Sequence, residues 1–170
     1  YIVAGVTTSN DGDVTGNHGG EDCWVVKLNS TGNIQWQKTY GGSLRDIASF
    51  IIQTLDGGYV LAGATKSNNG DVSGNHGDFD CWIVKVNAIG TIQKQKTIGG
   101  TDIDVSHKIV QTLDGGYLIT AATSSINGNV TENHGDFDCW IIKVSSSGVL
   151  QWQKSIGGSS SDEAFCTLEL

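Results

Sequence analysis

Three histidines, His18, His76 and His134, each follow an asparagine and each stand five residues before a cysteine, Cys23, Cys81 and Cys139. Imidazole and thiolate together suit zinc, but each copy offers a single pair. The cysteine also opens an apolar run beside Trp24, Trp82 or Trp140, where a small buried hydrophobe is the favoured reading. Asp11-Gly12-Asp13, with Asn10 and Asn17, has the hard oxygen donors and the glycine turn that calcium requires. Its counterparts lose charge, to Asn69-Gly70-Asp71 and then Asn127-Gly128-Asn129, and the twelve-residue loop closed by Glu is absent. Asp11 and Asp13 are therefore the one metal candidate, for calcium, and no other cofactor is called for. No nucleophile elbow, metalloprotease helix or phosphate-binding loop is present. A constellation that recurs three times is also poorly suited to one asymmetric active site. No catalytic residue is assigned, and an enzyme ranks third among the functions considered.

The elements that position these residues follow from their spacing. The cysteines lie 58 residues apart, and the histidines keep the same interval without slippage. A fixed period of that size marks a repeat architecture. Each period holds four apolar or alternating runs. The first, called B, is Tyr1 to Val6, Tyr59 to Ala64 and Tyr117 to Ala122. A polar loop of about sixteen residues carrying Asn-His-Gly leads to C, at Cys23 to Asn29, Cys81 to Asn87 and Cys139 to Ser145. Its unbroken apolar start fits a strand covered on both faces. After a glycine turn comes D, Ile34 to Lys38 and its copies, alternating and lysine-bearing as an exposed edge would be. Run A, Ile47 to Gln53 and Val105 to Gln111, follows a Gly-Gly turn, and Leu55-Asp56-Gly57-Gly58 supplies a hairpin into the next B. No segment has helical periodicity.

Four antiparallel strands per repeat predict an all-β chain of β-propeller blades. The chain of 170 residues reads as one repeat domain, with B-C-D in 1-42, blades in 43-100 and 101-158, and an extra strand A in 159-170. Twenty-four glycines and no proline agree with many tight turns. Equivalent strands of stacked blades would lie about 10 Å apart, beyond the roughly 7 Å that a disulfide spans, so the cysteines are expected to be unpaired. Cys166, aligned with Phe50, is expected in the core. Ten basic against 18 acidic side chains, a net charge of −8, disfavour nucleic acid and anionic membrane surfaces as partners. No stretch is long and apolar enough to insert in a membrane. The start at Tyr1 and the lack of methionine read as a processed or excised segment.

Four strings follow in order and recur with small changes: Asp-Gly-Gly-Tyr, a hydrophobic pair and Ala-Gly; Ser-Asn-x-Gly-Asp-Val-x-Gly-Asn-His-Gly; Asp-x-Trp-hydrophobic-Val-Lys; and Gly-x-hydrophobic-Gln-Trp-Gln-Lys. They resemble the propeller-type repeats of secreted and cell-surface proteins of Bacteroidetes and some archaea, over essentially the whole chain. The resemblance implies a propeller and a secreted or cell-surface location, and no single activity. Two departures stand out: Cys in place of an aromatic before Trp, and Lys94 where the other repeats have Trp36 and Trp152. Four unpaired thiols run against the oxidised state usual outside cells, a conflict that burial would resolve.

In a propeller with A innermost, the B–C loops and D–A turns share one face. That face would carry Asn17, His18, Asn75, His76, Asn133 and His134, with Asp46 and Asp104 near the turns and Asp162 in the same register. These side chains either brace their own loops or form recurrent pockets for a glycan or protein ligand. The function expected is an extracellular binding or adhesion module, with a purely structural or assembly repeat as the alternative. Three repeats fall short of the about four blades that a ring needs. Two closures stand open: a homodimer, head to tail, whose six blades form by exchange of strand A, or one longer propeller of which this is a part.

Overall fold

In the computed structural model, which describes residues 1 to 169, eleven β-strands form three antiparallel sheets. The first sheet is β1 (Ile2–Thr7), β2 (Asp22–Leu28) and β3 (Ile34–Tyr40). The second is β4 (Asp46–Gln53), β5 (Tyr59–Thr65), β6 (Asp80–Val86) and β7 (Ile92–Ile98). The third is β8 (Asp104–Gln111), β9 (Tyr117–Thr123), β10 (Asp138–Val144) and β11 (Leu150–Ile156). Each sheet is ordered as the chain runs, so consecutive strands pair. The all-β reading and the 58-residue unit hold, and no helix occurs among the described residues.

Turn chemistry sets the hairpins. Gly57 and Gly115 take positive φ, 80° and 79°, in the turns between the first and second strands of their sheets, where a side chain would be strained. Asp56 Oδ1 accepts from Gly58 N and Thr54 Oγ1, closing the same turn. The bulges recur as well, between Ala48 and Phe50 and between Ser106 and Lys108. Gly63 lies at the first of them, and a Cβ there would sit 1.8 Å from the Ile47 carbonyl oxygen.

The sheets pack in succession, β1 against β4, β5 against β8, and the two leading strands β4 and β8 against each other. Alternate faces of one sheet feed two cores. Val25, Tyr40, Tyr59, Leu61, Trp82, Val84 and Val86 fill the first interface, and Val60, Ile83, Ile98, Ile109, Ile119, Trp140 and Ile142 fill the second. The middle sheet is thus covered on both faces, and all seven residues of β5 are buried. Burial of the larger of these side chains stabilises by about 1.5–3 kcal/mol each. The third strands carry their tryptophans inward: Trp82 and Trp140 are buried, with Nε1 donating to Gln95 and Gln153 on the adjoining strand. The three sheets do not close on themselves.

Residues 162 to 169 form no strand, yet they follow the path of β4 and β8 one period on. Asp162 N donates to Phe137 O as Asp104 N does to Phe79 O. Glu169 Oε2 accepts from Leu113 N at 2.8 Å, as Gln111 Oε1 accepts from Leu55 N at 3.2 Å. Phe165 packs on the His107 ring, with centroids 4.8 Å apart. Among the described residues no strand pairs with this segment, so Cys166 is exposed rather than in the core, and its sulfur accepts from Lys108 Nζ at 3.0 Å.

Candidate functional site

Each Asn-His-Gly loop is built the same way. Asn75 Nδ2 donates to Thr65 O and Asp78 O at 2.8 and 3.0 Å, and its Oδ1 accepts from Gly77 N. Asn17 repeats this against Thr7 O, Gly20 O and Gly19 N, and Asn133 against Thr123 O and Gly135 N. The asparagines therefore pin the loop base to the end of the strand before it. The histidines turn inward: Nδ1 of His18, His76 and His134 faces Oδ2 of Asp22, Asp80 and Asp138 at 2.7, 2.5 and 2.5 Å. Those carboxylates are fully buried, while the rings stay 36%, 37% and 43% exposed.

Asp46 and Asp104 are fully buried beneath the loops. Asp104 Oδ2 accepts from Gly100 N at 2.7 Å and Ser125 Oγ at 2.8 Å, and Oδ1 accepts from Thr123 Oγ1. Asp46 does the same with Gly42 N, Ser67 and Thr65. Two buried carboxylates thus meet twice, Asp22 with Asp46 and Asp80 with Asp104, whereas Asp162, which stands by Asp138 at Gly157, is exposed. A Cβ on Gly41 would lie 2.7 Å from both Asp22 Oδ1 and Asp46 Oδ2, and Gly99 is hemmed in similarly by Asp80 and Asp104. Only glycine fits between them. Burial first of all, and in part the neighbouring carboxylate, push Asp22 and Asp104 above the usual carboxylate range. Asp80 is raised by burial, against the opposing pull of His76.

The loops also tie one sheet to the next. Gly41 N donates to Asp71 Oδ2, Asp71 N to Gly41 O and Ser43 N to Asn69 Oδ1. One period on, Gly99 N and Thr101 N donate to Asn129 and Asn127. Asp11 and Asp13 occupy the positions of Asn69 and Asp71 in the first repeat and are exposed, with no turn of a neighbouring sheet against them among the described residues. Among the described residues no three His, Cys, Asp or Glu side chains are grouped to hold a metal ion.

The structure links the sequence candidates within a repeat through Asp80: His76 pairs with Asp80, and Asp80 and Asp104 flank Gly99, while Asn75 bonds within its own loop. It adds Asp22, Asp80 and Asp138, which the sequence reading passed over although an Asp precedes each repeated Cys at the same interval. The thiols of Cys23 and Cys81 are buried, and burial raises both pKa values far above the ordinary range. Cys139 is only partly covered, with no further sheet packed on its face among the described residues.

Set beside known protein families and characterised proteins, the sequence matches none of them.

Proposed function

We propose that this chain is a β-propeller-type binding or adhesion module of a cell surface or secreted protein, with a glycan or protein as ligand. The observation that supports it is a division of labour among the side chains. Those that repeat every 58 residues, the Asn, His and buried Asp residues, are committed to the fold. Loop and crevice positions outside the core differ between copies: Asp11, Asn69 and Asn127; Trp36, Lys94 and Trp152. A constant frame with individual surfaces suits recognition better than a purely structural repeat. Binding of the folded protein to a glycan array tests the reading. Selective retention of one sugar class supports it, and no retention of any glycan or surface protein refutes it.

A second reading, assembly, draws on the two unmatched edges. Among the described residues the outer edge of β1 has no strand beside it, and residues 162 to 169 follow the course of a first strand with no second strand beside them. Carrying over the registers of β4 with β5 and β8 with β9, Asp162 would stand opposite Thr7 and Cys166 opposite Ala4, across the same bulge. Asp11 and Asp13 would then meet the turn at Gly157 and Ser159, as Asn69 and Asp71 meet Gly41 and Ser43. In a second copy of the chain this exchange gives a six-bladed ring.

A further inference from the structure

The crevice between the second and third sheets differs from the one between the first and second. In the first sheet Lys27 pairs across the strands with Trp36. The indole fills the crevice there, donating from Nε1 to Ala88 O at 3.2 Å and meeting the Tyr59 ring edge-on at 6.1 Å. In the third sheet Lys143 stands opposite Trp152. In the second sheet alone, Lys85 stands directly opposite Lys94. Like charges placed opposite each other on adjacent strands destabilise a sheet, and this pair stands where its sister repeats place a tryptophan.

Without the indole the crevice is open. An inner pocket of about 30 Å³ with Val60, Ile83 and Val144 in its wall is lined by Lys85, Lys94, Lys96, Tyr117, Ser146 and Ser147. A wider mouth of about 390 Å³ shares Lys85, Lys94, Tyr117 and Ser146 and adds Gln93 and Gln111. Asp56 accepts from Lys85 Nζ at 2.7 Å and offsets that charge. No ion pair joins Lys94 or Lys96 to a carboxylate among the described residues. In a molecule of net charge −8 this is a local cationic site.

The geometry points to an anion-recognition site for a uronate-type sugar, its carboxylate held between Lys94 and Lys96 and its hydroxyls met by Ser146, Ser147, Gln93 and Gln111. The inference rests on the glycan-binding reading and names the class of glycan. The neutral amides and hydroxyls at the rim suit a hydroxyl-rich ligand. A carboxylate engaged by two ammonium groups forms charge-assisted hydrogen bonds, weakened by salt to the extent that the site is wet.

The test is titration of the intact chain with trigalacturonate, and with its neutral methyl ester, by calorimetry. Lys94→Trp, which restores the residue of the sister repeats, and Lys94→Gln are run in parallel. Expected are binding of the acid but not the ester, a Kd raised about tenfold or more by either variant, and a higher thermal midpoint for Lys94→Trp. Trigalacturonate binding that is absent, or unchanged in a folded Lys94→Gln protein, overturns the inference. If other array glycans are still retained in that case, the module reading stands and only the assignment to this crevice falls.

Discussion

Asp104→Ala separates a structural carboxylate from a ligand-binding one. Its side chain is fully buried and accepts from Gly100 N, Ser125 Oγ and Thr123 Oγ1. Hydrogen bonds to a charged acceptor are worth about 1.5–3 kcal/mol each, but the buried carboxylate also carries a desolvation cost and faces Asp80. The sum is therefore far below three full bonds. Truncation strands three buried donors at about 1–3 kcal/mol each, partly offset by relief of the carboxylate's own burial, a loss of about 3–5 kcal/mol against a total of about 5–15 kcal/mol for a typical domain. Urea unfolding followed by tryptophan fluorescence reads it directly, since Trp82 and Trp140 are buried in the two cores and reach water only on unfolding. Asp104→Asn, which keeps the shape and one acceptor, should lose about half as much. A loss under about 1 kcal/mol for Asp104→Ala, with glycan binding abolished, refutes the structural assignment and returns Asp104 to the ligand.

Three further outcomes follow from the same geometry. Burial raises the folded pKa of Asp80, so its contribution is fully present below the unfolded value of about 3.9 and is lost as pH rises through the folded one. The stability of Asp80→Asn relative to wild type should accordingly climb from pH 3 to pH 7 in urea titrations, and a flat difference contradicts the cause given. A thiol reagent without denaturant should label Cys166 rapidly and Cys23 and Cys81 slowly, because the first is exposed and the others are buried. Under oxidation Ala4→Cys should form an intermolecular disulfide with Cys166, abolished by Cys166→Ser, since opposed residues of an antiparallel pair lie about 5 Å apart at the α-carbons. A monomeric, uncrosslinked Ala4→Cys protein excludes the strand exchange.

Much of the fold was legible because the repeat multiplied weak signals. One run such as Cys81 to Asn87 is ambiguous between strand and buried helix, but three copies with glycine turns at Gly32, Gly90 and Gly148 are not. Observed strands begin or end within two residues of those expected, as with Asp80–Val86 and Ile92–Ile98. What the sequence hid was partnership across sheets. Asp71 and Asn129 read as fading calcium ligands; in the fold they accept from Gly41 N and Gly99 N of the neighbouring turn, where an amide oxygen serves as well as a carboxylate. Asp80 read as the end of a polar loop, because nothing in one dimension shows that His76 caps it. Cys166 aligned with a core position but lacks the strand that would cover it.

The same logic explains why the departures from symmetry carry more about function than the symmetry does. A residue fixed in all three copies must satisfy a constraint that all three interfaces impose, and the inward-turned histidines and asparagines meet it locally. A residue that differs in one copy is free of that constraint or serves another. At Tyr40 the change is neutral for the fold: its hydroxyl donates to Gly90 O at 2.7 Å, whereas Ile98, at the equivalent place, simply joins the second core. At Lys94 the change works against the fold, opposing one ammonium to another and forfeiting the buried area that Trp36 fills. A position that gives up stability in one repeat alone is where selection for binding would leave its mark, as strained and destabilised sites do elsewhere.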